Sequence, residues 1–245
     1  MAVADSTQLE TDARTRLLEA AAQVFGAFNL EGATTRQIAD QAGVNQAAIP
    51  YYFGGKEGLY LATVEHFFRQ KFPTMRPLVQ ELNAWLATGA NDKAVALGLL
   101  KKLLTCMLGL ILDQDVSSSL GRIIMREQMQ PTKAFDIVYE GAIRHVHEGV
   151  TRLLAVVLGQ KPEERAVVLR AQMLVGHVLI FLSGRETIRR RLGLTGYTKK
   201  EIAEIQAALA EQIDLLLPSS AKASDFAKAT SDQTEGKPEN LKGKS

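Results

Sequence analysis

The run Asn45-Gln46-Ala47-Ala48-Ile49-Pro50-Tyr51-Tyr52-Phe53 crowds two carboxamides, two alanines and three aromatics around a proline. A carboxamide carries a donor and an acceptor on one planar group. It bonds bidentately to a matching edge, such as that of adenine, and each such pair discriminates by about 1–3 kcal/mol. Ala47 and Ala48 keep the approach close and suit thymine methyls. This is recognition chemistry rather than bond-making. The rest of the chain offers no defensible catalytic constellation: there is no glycine-rich phosphate loop, no cysteine-based metal spacing and no Ser-His-Asp arrangement. His145 and His147 are two apart and so face different sides of a helix, while His66 and His177 are isolated. The expectation is a protein that is not an enzyme and holds no metal or cofactor.

The elements that must carry those residues are short. Thr34-Thr35-Arg36-Gln37 has the spacing of a capping box and opens a helix over Thr35 to Ala42, with Ile38 and Ala39 turned inward. The free N–H groups at its start suit a phosphate. Gly43 follows where a left-handed residue turns the chain, Val44 fills the gap, and Asn45 opens a second helix. This is helix-turn-helix logic, and the first residues of the second helix are the ones that reach base edges. Asn45 is read both as a cap and as a base reader. Pro50 removes the bond to the Gln46 carbonyl, so a kink or 3₁₀ turn is expected there. Ile49 and Phe53 are expected to pack inward, and Gly54-Gly55 to end the helix.

The bulk properties fit. The chain has 245 residues, 46% of them hydrophobic, with a net charge of +2. The single cysteine, Cys106, lies in an apolar run, is read as a small buried hydrophobe and fits a reducing compartment. The first residues lack a basic segment followed by an apolar one, and the longest nearly apolar stretch, Leu103 to Leu112, is short for a bilayer. A cytoplasmic protein with no membrane partner is expected. Apolar residues recur at helical spacing, as in Leu17, Leu18, Ala21, Val24, Phe25 and Phe28, and in Leu100, Leu103, Leu104, Met107, Leu108 and Ile111. Asn91 and Asp115 are candidate caps, Thr198 opens a second capping box, and Pro73 with Pro77 marks a seam. The fold expected is all-α: a flexible N-terminus over 1–12, an N-terminal helical domain, or head, over 13–70 that carries the helix-turn-helix motif 34–53, a larger helical domain over 71–217 and a disordered tail over 218–245. Over residues 1–71 six Lys and Arg stand against eight Asp and Glu, a net of −2. Phosphate neutralisation carries non-specific affinity, so one head alone should bind poorly.

Residues 13–60 resemble the N-terminal domain of the TetR/AcrR family of bacterial transcriptional regulators. The resemblance rests on Arg16-Leu17-Leu18-Glu19-Ala20-Ala21 with Phe25, on Gly32-Ala33-Thr34-Thr35, on Ile38-Ala39-Asp40-Gln41-Ala42-Gly43-Val44 and on Tyr51-Tyr52-Phe53-Gly54-Gly55-Lys56-Glu57-Gly58-Leu59. The pattern VNQAAIxYxFGGKEGLY further resembles a CerR-like subgroup. Pro50 stands where the family has a polar residue, and Tyr52 where a His is frequent. The resemblance implies an all-helical homodimer that binds a palindromic operator and is released from it by a small molecule. It also implies phosphate contacts from Thr34, Thr35, Arg36, Tyr51 and Lys56. With Asn45, Gln46, Ala47 and Tyr52 these form the expected DNA-binding set. Affinity then comes from two half-sites about 34–36 Å apart engaged by one dimer.

In the larger domain, helices near 162–182 and 199–217 are the expected dimer interface, with Ala171 and Gly176 allowing close approach. Met107, Ile111, Met125, Met129, Phe135 and Tyr139 are candidates for an apolar effector pocket. Arg185-Arg189-Arg190-Arg191 is read as a solvated surface or as an anion site. Repressor and activator are not distinguished. The alternative is a DNA-binding architectural or interaction protein of the same fold with no small effector; an enclosed cavity of a few hundred Å³ separates the two.

Overall fold

The computed structural model describes residues 2–71, 75–112 and 119–217, and no strand occurs among them. Pro73, Asp115 and the tail over 218–245 lie outside the described residues. The helices are α1 (Ala2–Gly32), α2 (Thr35–Ala42), α3 (Ala48–Phe53), α4 (Lys56–Lys71), α5 (Arg76–Ala87), α6 (Lys93–Leu112) and α7 (Leu120–Met129). Then come α8 (Ala134–Val138), which passes through a π-turn at Tyr139–Ile143 into α9 (Arg144–Leu158), then α10 (Arg165–Ser183), α11 (Arg185–Leu192) and α12 (Lys199–Leu216). Residues 2–12, expected as a flexible arm, carry helical backbone continuous with α1; they hold neither Gly nor Pro to stop it.

α1 breaks near its end. Asn29 has φ 61° and ψ 177°, a combination that only glycine adopts without strain. Its Oδ1 accepts the Gly32 N–H at 2.7 Å, which holds the bend. Phe28, counted in the inward stripe, is therefore 52% exposed. Asn29→Ala loses the bond and keeps the strain, so it is expected to lower unfolding free energy by about 1–3 kcal/mol, while Asn29→Gly costs less. Urea denaturation of the two variants checks this.

Two apolar cores organise the chain. The larger one joins α5, α6, α9, α10 and α12 around Leu100, Leu104, Leu108, Leu153 and Val178. α6 is its central helix, and α9, α10 and α12 all pack on it. By length and composition alone α6 and α10 are apolar enough to cross a membrane. In α6 that apolar surface is what the other helices cover. α6 is capped by Asp92, one residue after the expected Asn91: Asp92 Oδ1 accepts from Ala94 N at 2.8 Å and Val95 N at 3.1 Å. The capping box at Thr198 and Glu201 forms as expected. Cys106 is half-buried against the larger core rather than fully enclosed, and burial pushes its thiol pKa up.

The smaller core belongs to the N-terminal head, with Leu17, Phe25, Ile38, Ile49, Leu59 and Tyr60. It is not closed by residues 13–70 alone, because Ile123, Ala134 and Val138 complete it. α7 packs on α1 and α8 packs on α4, so the seam near residue 71 divides the chain but not the core.

His147, half-buried on α9, has its imidazole held below the ordinary 6.5 by burial. The unfolded chain then takes up the proton first as the pH falls. The contribution is present above the unfolded value and is lost as the pH falls through the lower folded one. His147→Leu is expected to shrink the loss of stability between about pH 7 and about pH 5, measured by urea denaturation at both.

Candidate nucleic-acid interface

α2 begins as its sequence dictates. Thr34 is extended, its Oγ1 accepts the Gln37 N–H at 3.2 Å, and Gln37 Oε1 accepts the Thr34 N–H at 3.0 Å. α2 ends at Gly43, whose φ of 64° suits a residue without Cβ. Gly43 N–H reaches Asp40 O and Val44 N–H reaches Ala39 O at 3.1 Å, so the last carbonyls are paired while the chain reverses. Val44 then packs against the head core.

Asn45, expected as the cap of the next helix, instead braces the turn before it, and the cap position itself falls on Ala47 with no side-chain bond. Asn45 Oδ1 accepts the Ala47 N–H at 2.9 Å and the Asn45 carbonyl accepts the Ala48 N–H at 3.0 Å. Ile49 N–H reaches Gln46 O at 3.1 Å, so the first turn is 3₁₀-like, as Pro50 led one to expect. The regular helix starts only at Ala48, which places Pro50 in its first turn, where a missing N–H leaves no partner unsatisfied. Gly54, at φ 72°, closes the helix by donating to Pro50 O at 3.0 Å. Pro50→Ala supplies an N–H to the Gln46 carbonyl and lengthens the α-helical register. Operator affinity is expected to change several-fold with melting nearly unmoved; unchanged affinity would refute a role for the turn.

The geometry sorts the expected contact set. Asn45, Gln46 and Ala47 are exposed together at the start of α3. Gln46 Nε2 donates to Thr35 Oγ1 at 2.8 Å, which joins the two helix starts and aims the Gln46 amide. Thr34 is exposed, and Arg36 is exposed with only a long ion pair to Asp40 at 3.8 Å. Tyr51 is 73% exposed. Tyr52 departs from expectation: it is half-buried against the head core, edge-on to Tyr51 at 4.9 Å and to Phe53 at 6.2 Å. Adjacent helical residues point about 100° apart, so two neighbouring tyrosines do not share an outward face. Lys56 also differs. Its ammonium donates to Ala33 O at 3.0 Å and Glu31 O at 3.3 Å, tying α4 to the loop before α2. Ile49 is buried as expected, and Phe53 is half-buried beneath Arg14, whose guanidinium lies 5.3 Å from the ring centre.

The expected effector residues do not converge. Met129 is 77% exposed, Tyr139 is exposed with its ring stacked on Phe135 at 6.0 Å, and Met107 and Ile111 lean on the larger core. Met125 is half-buried. A cavity of about 120 Å³ lies instead between α5 and α9, with Leu82, Leu103 and Gly149 as floor and Asn83, His145, Glu148 and Arg152 around it. An open groove of about 500 Å³ runs past Arg152, Gln160 and Lys161. None of the six expected residues lines either space.

Residues beyond the expected set hold the head in place. Glu127 is buried and accepts from Tyr60 Oη at 2.7 Å and from Thr132 N at 2.9 Å. Burial first, then the bond to Glu127, pushes the Tyr60 hydroxyl pKa well above its ordinary 10. No local pattern marks the Tyr60–Glu127 pair, because the two residues are 67 apart in sequence.

Comparison with known proteins settles what the fold alone leaves open. Residues 17–63 match the model of the tetR family of bacterial regulatory proteins. Residues 96–219 match the C-terminal domain of the HTH-type transcriptional dual regulator CecR. The CecR regulator of Shigella flexneri is 37% identical over 208 residues, covering 84% of this chain and 91% of its own. The chain belongs to the TetR family of bacterial transcriptional regulators. The BetI regulator of Brucella anthropi is 41% identical over 71 residues, but this covers only 29% of the chain and 33% of its own. Among solved structures, the hemolysin II regulator HlyIIR superposes with a TM-score of 0.54 at 20% identity, covering 82% of this chain and 98% of its own. A TetR-family regulator from Mesorhizobium loti gives 0.51 at 16% identity, covering 84% and 97%. Those two show the fold. The TetR-family match falls on the helix-turn-helix described above, so DNA binding and transcription regulation belong to this chain through its family.

Proposed function

We propose that the protein is a cytoplasmic homodimeric repressor that binds a palindromic operator and leaves it when a small apolar effector binds the larger domain. The observation that carries the DNA-binding part is the exposed start of α3: Asn45, Gln46 and Ala47 stand outward, and Gln46 is braced on Thr35 at the start of α2. The dimer is supported by the outward faces of α10 and α12, where Leu169, Met173, Ile180 and Leu215 are all at least half exposed. Gly176 has open space around it and suits close approach, whereas Ala171 is buried in its own subunit and does not. Arg189 is held by Glu186 and the Thr195 carbonyl, and Arg190 by Glu186, which favours a solvated surface over an anion site for that cluster.

The α5–α9 cavity, at about 120 Å³, is small for a drug-sized molecule, whereas the open groove past Arg152, Gln160 and Lys161, at about 500 Å³, is within the roughly 300–1,000 Å³ of such sites.

The test is genome-wide mapping of bound DNA, paired with transcript levels in cells lacking the protein. Paired half-sites about one helical turn apart, beside promoters whose transcripts rise on deletion, are expected. Falling transcripts give an activator, and both signs give a dual regulator, the word in the relative's name. Absence of enriched sites contradicts the proposal.

A further inference from the structure

We propose that Arg122 and Arg126 of α7 are positioning residues for DNA binding, a latch that fixes the head against the larger domain by capping the broken end of α1. The inference rests on the DNA-binding reading above. Arg122 Nε donates to Gly26 O at 2.8 Å, and Arg126 Nη1 donates to Phe25 O at 2.9 Å. Both carbonyls belong to the last turn before the break at Asn29, where a helix is short of donors and its dipole favours cations. The two arginines are four apart and so lie on one face of α7.

Independent contacts pin the same helix. A Cβ on Gly26 would meet Ser119 backbone atoms at 2.6 Å, so the chain entering α7 lies directly on α1 at a residue that has no side chain. Ile123 is fully buried in the head core, and Glu127 receives Tyr60 from α4. α7 therefore grips both α1 and α4, and its chain runs on through α8 and the π-turn into α9 of the larger core, so the head cannot shift against α7 without breaking these bonds. A dimer that reads two half-sites needs its heads at a fixed spacing, so the latch sets that spacing.

The experiment compares the full-length protein with an Arg122→Ala/Arg126→Ala variant and an Arg122→Lys/Arg126→Lys variant. The Lys pair keeps one charge-assisted donor at each position and carries the test if the Ala pair does not fold. The first readout is amide hydrogen exchange over residues 26–33. The second is affinity for a duplex chosen from the mapped fragments, and for the same duplex with one base pair inserted at its centre. Faster exchange is expected in the Ala pair, with about tenfold weaker binding to the native duplex. The penalty for the insertion is expected to shrink relative to wild type, because loosened heads tolerate misplaced half-sites, and the Lys pair should restore part of both. Unchanged exchange overturns the proposal. Faster exchange with an undiminished insertion penalty overturns it too, since the arginines are then only a structural cap. If no fragment binds the wild type, the DNA-binding reading fails, and the exchange result still decides whether the arginines hold α1.

Discussion

Met173→Glu is expected to convert the proposed homodimer to a monomer and to weaken operator binding by about a hundredfold or more. Met173 is 64% exposed in one subunit and lies on the outward stripe of α10 with Leu169 and Ile180. If two such faces meet, the glutamate lands without a partner in a desolvated interface, which costs several kcal/mol per subunit. The effect on DNA follows from the charge of the head. With a net of −2 over residues 1–71, a single head gains little from phosphates. Linking two heads supplies the affinity that one lacks, typically by 10²–10⁴. Sedimentation or light scattering reads the mass, and a DNA titration reads the affinity. Met173→Leu, which keeps the face apolar, should leave both near wild type. A glutamate variant that remains dimeric removes α10 from the interface.

The second large effect is on stability. Glu127→Ala is expected to cost about 3–5 kcal/mol, a sizeable share of the roughly 5–15 kcal/mol that holds a typical protein folded. Glu127 is 1% exposed, and its carboxylate accepts from Tyr60 Oη, Thr132 N and Thr132 Oγ1. Truncation leaves the Tyr60 hydroxyl buried with no acceptor and opens a void beside it. Glu127→Gln keeps the volume but turns an amide donor toward groups that also donate, so about 1–3 kcal/mol is expected. Guanidinium denaturation of the two variants gives the order. A Glu127→Ala variant as stable as wild type would show that the buried carboxylate is not what joins α4 to α7.

What could be read from the chain was local. Thr34 with Gln37, Gly43 after Ala42 and Asn45 before Ala47 each act within a few residues, so residue type and spacing fixed α2, the turn after it and the bend that leads into α3. The same locality explains the 3₁₀ turn before Pro50. Legibility failed where neighbours compete. Asn91 and Asp92 are both good caps, and only the geometry chose Asp92. Tyr51 and Tyr52 have the same chemistry, and helical rotation alone makes one exposed and the other half-buried. It failed again where the partner is distant. Asn29 sits inside an unbroken helical pattern, and its strained backbone is tolerated because α7, about a hundred residues away, covers that end of α1. The expected effector residues had suitable chemistry, but helical spacing does not say which way Met129 or Tyr139 faces, and both face solvent. The α5–α9 cavity is lined in part by Asn83, Glu148 and Arg152, whose polarity gave no reason to group them.

The central claim is that the braced amides at the start of α3 read base edges. Its most direct test is a base-by-base substitution series on one mapped operator, titrated with wild type and with Gln46→Ala. The variant is expected to lose discrimination at one symmetric pair of bases, by about 1–3 kcal/mol per half-site, and to keep wild-type preferences elsewhere. Equal weakening across every substituted operator, with all preferences intact, would contradict the claim.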